Sequence, residues 1–346
     1  MTAQDRNTDR RVTRRWGAWL HFLPETKGEM DAVVEGLARR GVNVLIAAFK
    51  NWTGPAYYSS AIAHAAPGFE DDVMLRYAID RCHQAGVEFE AWTCAFPESG
   101  RSRLIEEHPE CRALCRDGTE YRVEGANGEA WACPAREETQ VYEADLCREV
   151  LERFPGIDGL HLDYIRYSST DTCYCAACRR EFRDRYGFDL LEDVMSGGSE
   201  GKAFDAYVRW RCGHIRRFVE RARALTQLAG VRLTAAVFPF YPSIMYDMGQ
   251  DWVDWCSAGL LDAVYPMNYN WSDLMVARYT RLHAWHLREA RTQLCEGLSV
   301  KLDMTDVDLQ RLCAAALDNG SNGLIFFSVP GLLLRSEKVL EPFITA

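Results

Sequence analysis

The chain has 346 residues, 48% of them hydrophobic and 26% charged, with a formal net charge of -10. This length suits one large domain that can bury a core without a disulfide or metal staple, and the acidic balance argues against nucleic acid or anionic lipid as the main partner. There is no run of about 18 apolar residues to cross a membrane. The N-terminal MTAQDRNTDRRVTRRW lacks the apolar stretch of a secretion signal, so the 13 cysteines are expected as reduced thiols in a cytoplasmic protein.

Residues 1–14 are polar and expected to form a disordered tail, leaving 15–346 as the folded domain. Strand one is WGAWLHF (16–22), followed by a helix over about 28–40. Strand two is VNVLIAAF (42–49), with an irregular loop and a helix to residue 84 behind it. Strand three is VEFEAWTCAF (87–96), and a long excursion over 97–135 follows, rich in Gly, Pro, Cys and charge. A helix over 137–154 leads to strand four, IDGLHLDYIRY (157–167). A second excursion holds CYCAACRREFRDRYG (173–187) and a break at SGGSEG (196–201), before a long helix near 203–228. Strands five to eight are VRLTAAVF (231–238), LLDAVYPMNY (260–269), TQLCEGLSV (292–300) and NGLIFFSV (322–329), separated by helices near 250–257, 273–290 and 305–318. Eight strands alternating with helices predict a parallel sheet with right-handed crossovers. In one domain of this size that means a single (β/α)₈ TIM barrel, fold class α/β, with excursions after strands three and four. Both excursions then lie at the C-terminal face, where this fold carries its active site.

Side chains of a barrel strand alternate between the helices and the axis. Leu160 and Leu162 suit the helix side, which aims His161 and Asp163 inward. The same alternation turns Glu88, Glu90 and Trp92 inward on strand three, Arg232, Thr234 and Phe238 on strand five, and Trp19 and His21 on strand one. A buried charge is costly unless paired, so Glu88 or Glu90 is expected to pair with Arg232 low in the barrel. Asp163 ends its strand and is followed by Tyr164 and Arg166. Glycoside hydrolysis uses two carboxyl groups flanking the scissile bond, and an aspartate beside an arginine is expected to stay ionised through a lowered pKa.

The segment DGLHLDYIRY (158–167) carries a resemblance, in order with WGAWLHF, YYSS (57–60), HPE (108–110), DG (117–118), ACPA (132–135), the CAACRREF segment with YG (186–187), and VYPMNY (264–269). From about Arg15 to Gly331 the chain resembles the bacterial glycosyl-hydrolase-like family ten, formerly a domain of unknown function and distinct from the family-ten xylanases. The resemblance implies a TIM-barrel glycosidase with Asp163 as the key carboxylate.

Glu296, an acid inside an apolar strand end, is the expected second carboxylate, as a desolvated general acid. Glu98 is the alternative, with Asp247 and Asp273 behind it. Arg166 is expected in the catalytic group. Trp92, Phe238, Tyr241, Tyr269 and Trp271 are expected to stack on sugar faces, as amphipathic aromatics do in half-wet clefts, with Phe96 and Phe240 on the same rim. His21, Glu98, Tyr164 and Asn268 complete the expected substrate-binding set. Cys173, Cys175 and Cys178 form CxCxxC without a second pair nearby. Cys94, Cys111, Cys115 or Cys133 would complete a zinc site only by folding back, so neither a metal nor a cofactor is expected. The function expected is cleavage of a glycosidic bond in an oligosaccharide or glycoside. The alternatives are a carbohydrate-binding barrel without catalysis, marked by the lack of a second carboxylate in the mouth, and a barrel lyase or isomerase using His21 or Tyr164 as base. Oligomeric state is not set by the sequence.

Overall fold

The computed structural model describes residues 14–99, 102–122, 129–195 and 202–344. Apart from Arg14, the tail expected over 1–14 lies outside these residues, as does the break over 196–201. The chain runs β1 (Trp16–Leu20), α1 (Lys27–Arg39), β2 (Val44–Lys50), α2 (Val73–Gln84) and β3 (Glu88–Cys94). The first excursion holds β4 (Pro97–Ser99), α3 (Arg103–Glu107) and β5 (Glu129–Trp131). Then come α4 (Glu137–Arg153), β6 (Gly159–Asp163), α5 (Ala176–Tyr186), α6 (Glu192–Met195), α7 (Lys202–Ala229) and β7 (Arg232–Val237). The chain ends with α8 (Ser243–Met248), α9 (Trp252–Ser257), β8 (Ala263–Pro266), α10 (Asp273–His286), β9 (Gln293–Ser299), α11 (Asp306–Leu317), β10 (Gly323–Phe327), α12 (Val329–Leu333) and α13 (Glu341–Ile344).

Eight of the strands close into a barrel in the order β1-β10-β9-β8-β7-β6-β3-β2, and every pair is parallel. The short strands β4 and β5 form a separate antiparallel pair above it. Each barrel strand lies inside its expected range except β2, which runs one residue further to Lys50; β6 and β8 are the most shortened, because pairing stops where the chain turns out into loops. Local chemistry sets several helix starts. Thr26 caps α1 and Thr305 caps α11, each in a reciprocal box with the acid three residues on, Glu29 and Asp308. Gly187 ends α5 at φ 74°, a conformation that costs a glycine little.

The barrel interior is polar at the bottom. Arg15 donates to Glu88 at 3.1 Å, to Glu90, and from Nε to the Tyr265 hydroxyl at 3.1 Å. Arg232 pairs with Glu88, as the alternation predicts, whereas Glu90 is neutralised by Arg15, which precedes the first strand. Above them the Trp19 indole donates to His161 Nε2 at 3.1 Å, which leaves the proton on Nδ1 facing Thr234 Oγ1 at 2.9 Å. Thr234 in turn donates to Glu90 at 2.9 Å. Burial pushes His161 down to about 3, so it stays neutral. This connected network closes the barrel below the mouth, as a buried polar cluster must be satisfied throughout.

Candidate active site

The mouth of the barrel opens into a cavity of about 400 Å³, in the range that holds a small ligand. Asp163 forms part of its floor, at the C-terminal end of β6. Its Oδ1 accepts the Tyr164 amide at 2.6 Å and its Oδ2 accepts the Trp92 indole at 3.2 Å. Tyr164 itself turns the chain with φ 54°, a left-handed conformation uncommon for a residue with a Cβ and concentrated at functional sites. This turn brings the amide back onto the carboxylate it follows.

Burial raises the Asp163 carboxyl to about 6; the Tyr164 amide, the Arg166 charge and the Trp92 indole pull the other way and do not offset it. The expectation of a lowered pKa is therefore corrected. Arg166 is close, but its guanidinium is directed elsewhere: Nη1 donates to the Tyr167 carbonyl at 3.1 Å. The group lies over the rings of Trp131 (4.9 Å), Tyr164 (4.9 Å) and Phe238 (5.1 Å), a cation–π arrangement that braces the cavity wall.

The walls are aromatic. Trp92, Tyr164, Phe238 and Tyr269 line the cavity as expected, and Phe240 does too. His21 lines it within ring contact of Trp52, Trp92 and Phe327. Burial lowers His21 to about 4, so at neutral pH it presents an uncharged imidazole.

Five expected site residues lie elsewhere. Glu296 faces away from the axis and binds His283 Nδ1 on α10 at 2.7 Å. Its neighbour Gly297 faces in, where an added Cβ would meet Trp19 at 3.0 Å. An acid between two inward positions must point to the helices. Glu98 is buried in the first excursion, in an ion pair with Lys50 at 2.6 Å that also holds Glu143 at 3.0 Å. Asn268 is turned toward α10, where its amide donates to the Val276 carbonyl at 3.3 Å. Asn270 takes the place at the cavity edge, beside Met267 and Tyr269. Tyr241 points down to Asp251 at 3.2 Å and packs on Trp252. Trp271 is half exposed outside the cavity, under the Lys301 ammonium at 4.3 Å. Phe96 packs on Phe218 and is also not at the rim.

Trp52, Met267, Asn270 and Phe327 are further lining residues outside the expected set, and Trp19 is expected only as inward-facing. The alternation carried past Tyr265 finds Met267 and Tyr269 and excludes Asn268. Nothing local marks Trp52, which comes from the loop after β2. Among the described residues that line the cavity, Asp163 is the one carboxylate. A second cluster lies behind the wall. Cys133 folds back onto Cys173, Cys175 and Cys178, completing the set of four that the sequence spacing left open.

The family model described as Glycosyl hydrolase-like 10 matches residues 17–306. A search of curated protein sequences finds no match. Among solved structures the chain is similar to the PgaB (BpsB) glycoside hydrolase domain from Bordetella bronchiseptica, at 11% identity and TM-score 0.72, over 91% of this chain and 94% of that one. It is similar to the catalytic domain of beta-amylase from Paenibacillus polymyxa at 13% identity and TM-score 0.65, over 92% of each chain. It also resembles alpha-L-fucosidase isoenzyme 2 from Paenibacillus thiaminolyticus at 17% identity and TM-score 0.65, over 95% of this chain but 49% of that one. At these identities the likeness speaks for the barrel fold.

Proposed function

The chain belongs to the Glycosyl hydrolase-like 10 family, and from that premise we propose that it cleaves a glycosidic bond of an oligosaccharide, with Asp163 as the carboxyl that exchanges a proton with the leaving oxygen. The observation that carries this reading is the environment of Asp163. Its carboxyl is raised to about 6 at the floor of an aromatic cavity. A carboxylic acid still partly protonated near neutrality is the form that can donate to a departing alkoxide. The Trp92 indole and the Tyr164 amide keep it in one orientation and stabilise the carboxylate left after transfer. The aromatic walls present flat faces to the C–H surfaces of a sugar ring. His21, neutral at the rim, and Asn270 offer hydrogen bonds to its hydroxyls.

A second reading is favoured by one observation. Hydrolysis with two protein carboxyls needs a partner roughly 5–10 Å from the first, and the described cavity lining offers none. A barrel that binds carbohydrate without cleaving it would have this composition. Hydrolysis of aryl glycosides and oligosaccharides by the wild type, compared with Asp163→Asn, separates the two. Turnover that vanishes in the variant while sugar binding persists supports cleavage. Saturable sugar binding with no turnover by the wild type establishes the binding reading in its place.

A further inference from the structure

Cys133, Cys173, Cys175 and Cys178 are all buried, and their sulfurs lie within 4.8 Å of one another. They come from three places in the chain. Cys133 follows β5 at the end of the first excursion, Cys173 lies in the second, and Cys175 and Cys178 span the start of α5. We propose that these four thiolates form a structural zinc site that joins the two excursions behind the cavity wall.

Zinc takes four ligands in a tetrahedron with Zn–S near 2.3 Å, which sets the sulfurs about 3.8 Å apart. The cluster is already of that size. The Cys133 and Cys178 sulfurs are 3.4 Å apart, far beyond the roughly 2.05 Å of a disulfide, and all four cysteines are free. Four sulfurs fill a zinc shell, so no position is left for water or substrate, and the role is structural rather than catalytic. The surroundings suit thiolates. The Leu114 amide donates to Cys173 Sγ at 3.4 Å, the kind of outer contact that orients a metal ligand.

The site has a mechanical consequence for the cavity. Cys133 is two residues beyond Trp131, whose ring lies under the Arg166 guanidinium and 5.9 Å from the Tyr164 ring. Tyr164 and Arg166 line the cavity. A metal that holds Cys133 to Cys173, Cys175 and Cys178 therefore holds Trp131 against the wall that contains them.

The test is the metal content of wild-type protein purified without added metal, by inductively coupled plasma mass spectrometry. About one zinc per chain is expected, released by a mercurial titrant together with the protected thiols. Cobalt exchanged into the site is expected to give the visible d–d bands of a tetrahedral thiolate complex. Cys133→Ser and Cys178→Ser should each lose most of the zinc, while Cys313→Ser, buried on α11, keeps it. Because the two serine variants can fail to fold, the wild type decides. Folded protein that neither carries zinc nor takes it up on reconstitution overturns the proposal. So does stoichiometric iron in its place, or a disulfide among the four.

Discussion

Asp163 is held by opposing forces, and their balance is measurable. Its carboxyl binds a proton more tightly in the folded chain, at about 6, than in the unfolded chain, at about 4. Folding is therefore opposed as pH rises from about 4 to about 6, and the cost persists at neutral pH. Asp163→Asn is expected to abolish turnover yet raise stability at pH 7 by about 1–3 kcal/mol. The gain should disappear below about pH 4, and thermal melts at both pH values check it. As a proton donor, Asp163 makes kcat/KM fall as pH rises through about 6. A rate that instead rises across that range would assign the group as a base or nucleophile. Trp92→Phe removes the donor to Oδ2 and destabilises the carboxylate, so the descending limb should move up by roughly half a unit to one unit.

At the scale of elements, the strands do the aiming and the excursions do the walling. The alternation along β6 is unbroken, so Leu160 and Leu162 locate His161 and Asp163 without further information. β9 obeys the same rule: Glu296 shares its face with Leu294 and Leu298 and meets His283 on α10, not the axis. The first excursion is anchored through Lys50, whose ammonium holds Glu98, Glu143 and the Cys94 carbonyl in a fully buried group. Even beside Lys50, burial raises Glu143 to about 8, so one of the two acids is mostly neutral at pH 7. Lys50→Met leaves the ionised member of this buried pair without its counter-charge and is expected to cost about 3–5 kcal/mol. Glu143→Gln added to it should recover part of this, seen as a partial return of the melting temperature.

The whole molecule combines a net charge of -10 with a cavity whose lining is mostly aromatic and apolar. An uncharged sugar in such a cavity feels little of the surrounding field, which salt screens over about 10 Å at 0.1 M. KM for a neutral oligosaccharide should change less than about two-fold between low and high salt. A steep salt dependence would point to a charged substrate.

The amino-acid sequence alone determined the barrel, the order of its strands and the inward set on most of them, because these follow from a period of two in single segments and from helix signals between them. It also marked Asp163, since a charged residue at the inward end of an apolar strand has few other uses. Only the tertiary structure decided what surrounds that carboxyl. The Arg15 partner of Glu90, the Trp52 and Phe327 walls, the diversion of Glu98 to Lys50 and the return of Cys133 to the CxCxxC segment are contacts between residues far apart in the chain. The direction of the Asp163 pKa belongs with them. It depends on how much water the closed mouth excludes, and Arg166, three residues along and visible in the sequence, is outweighed by that burial.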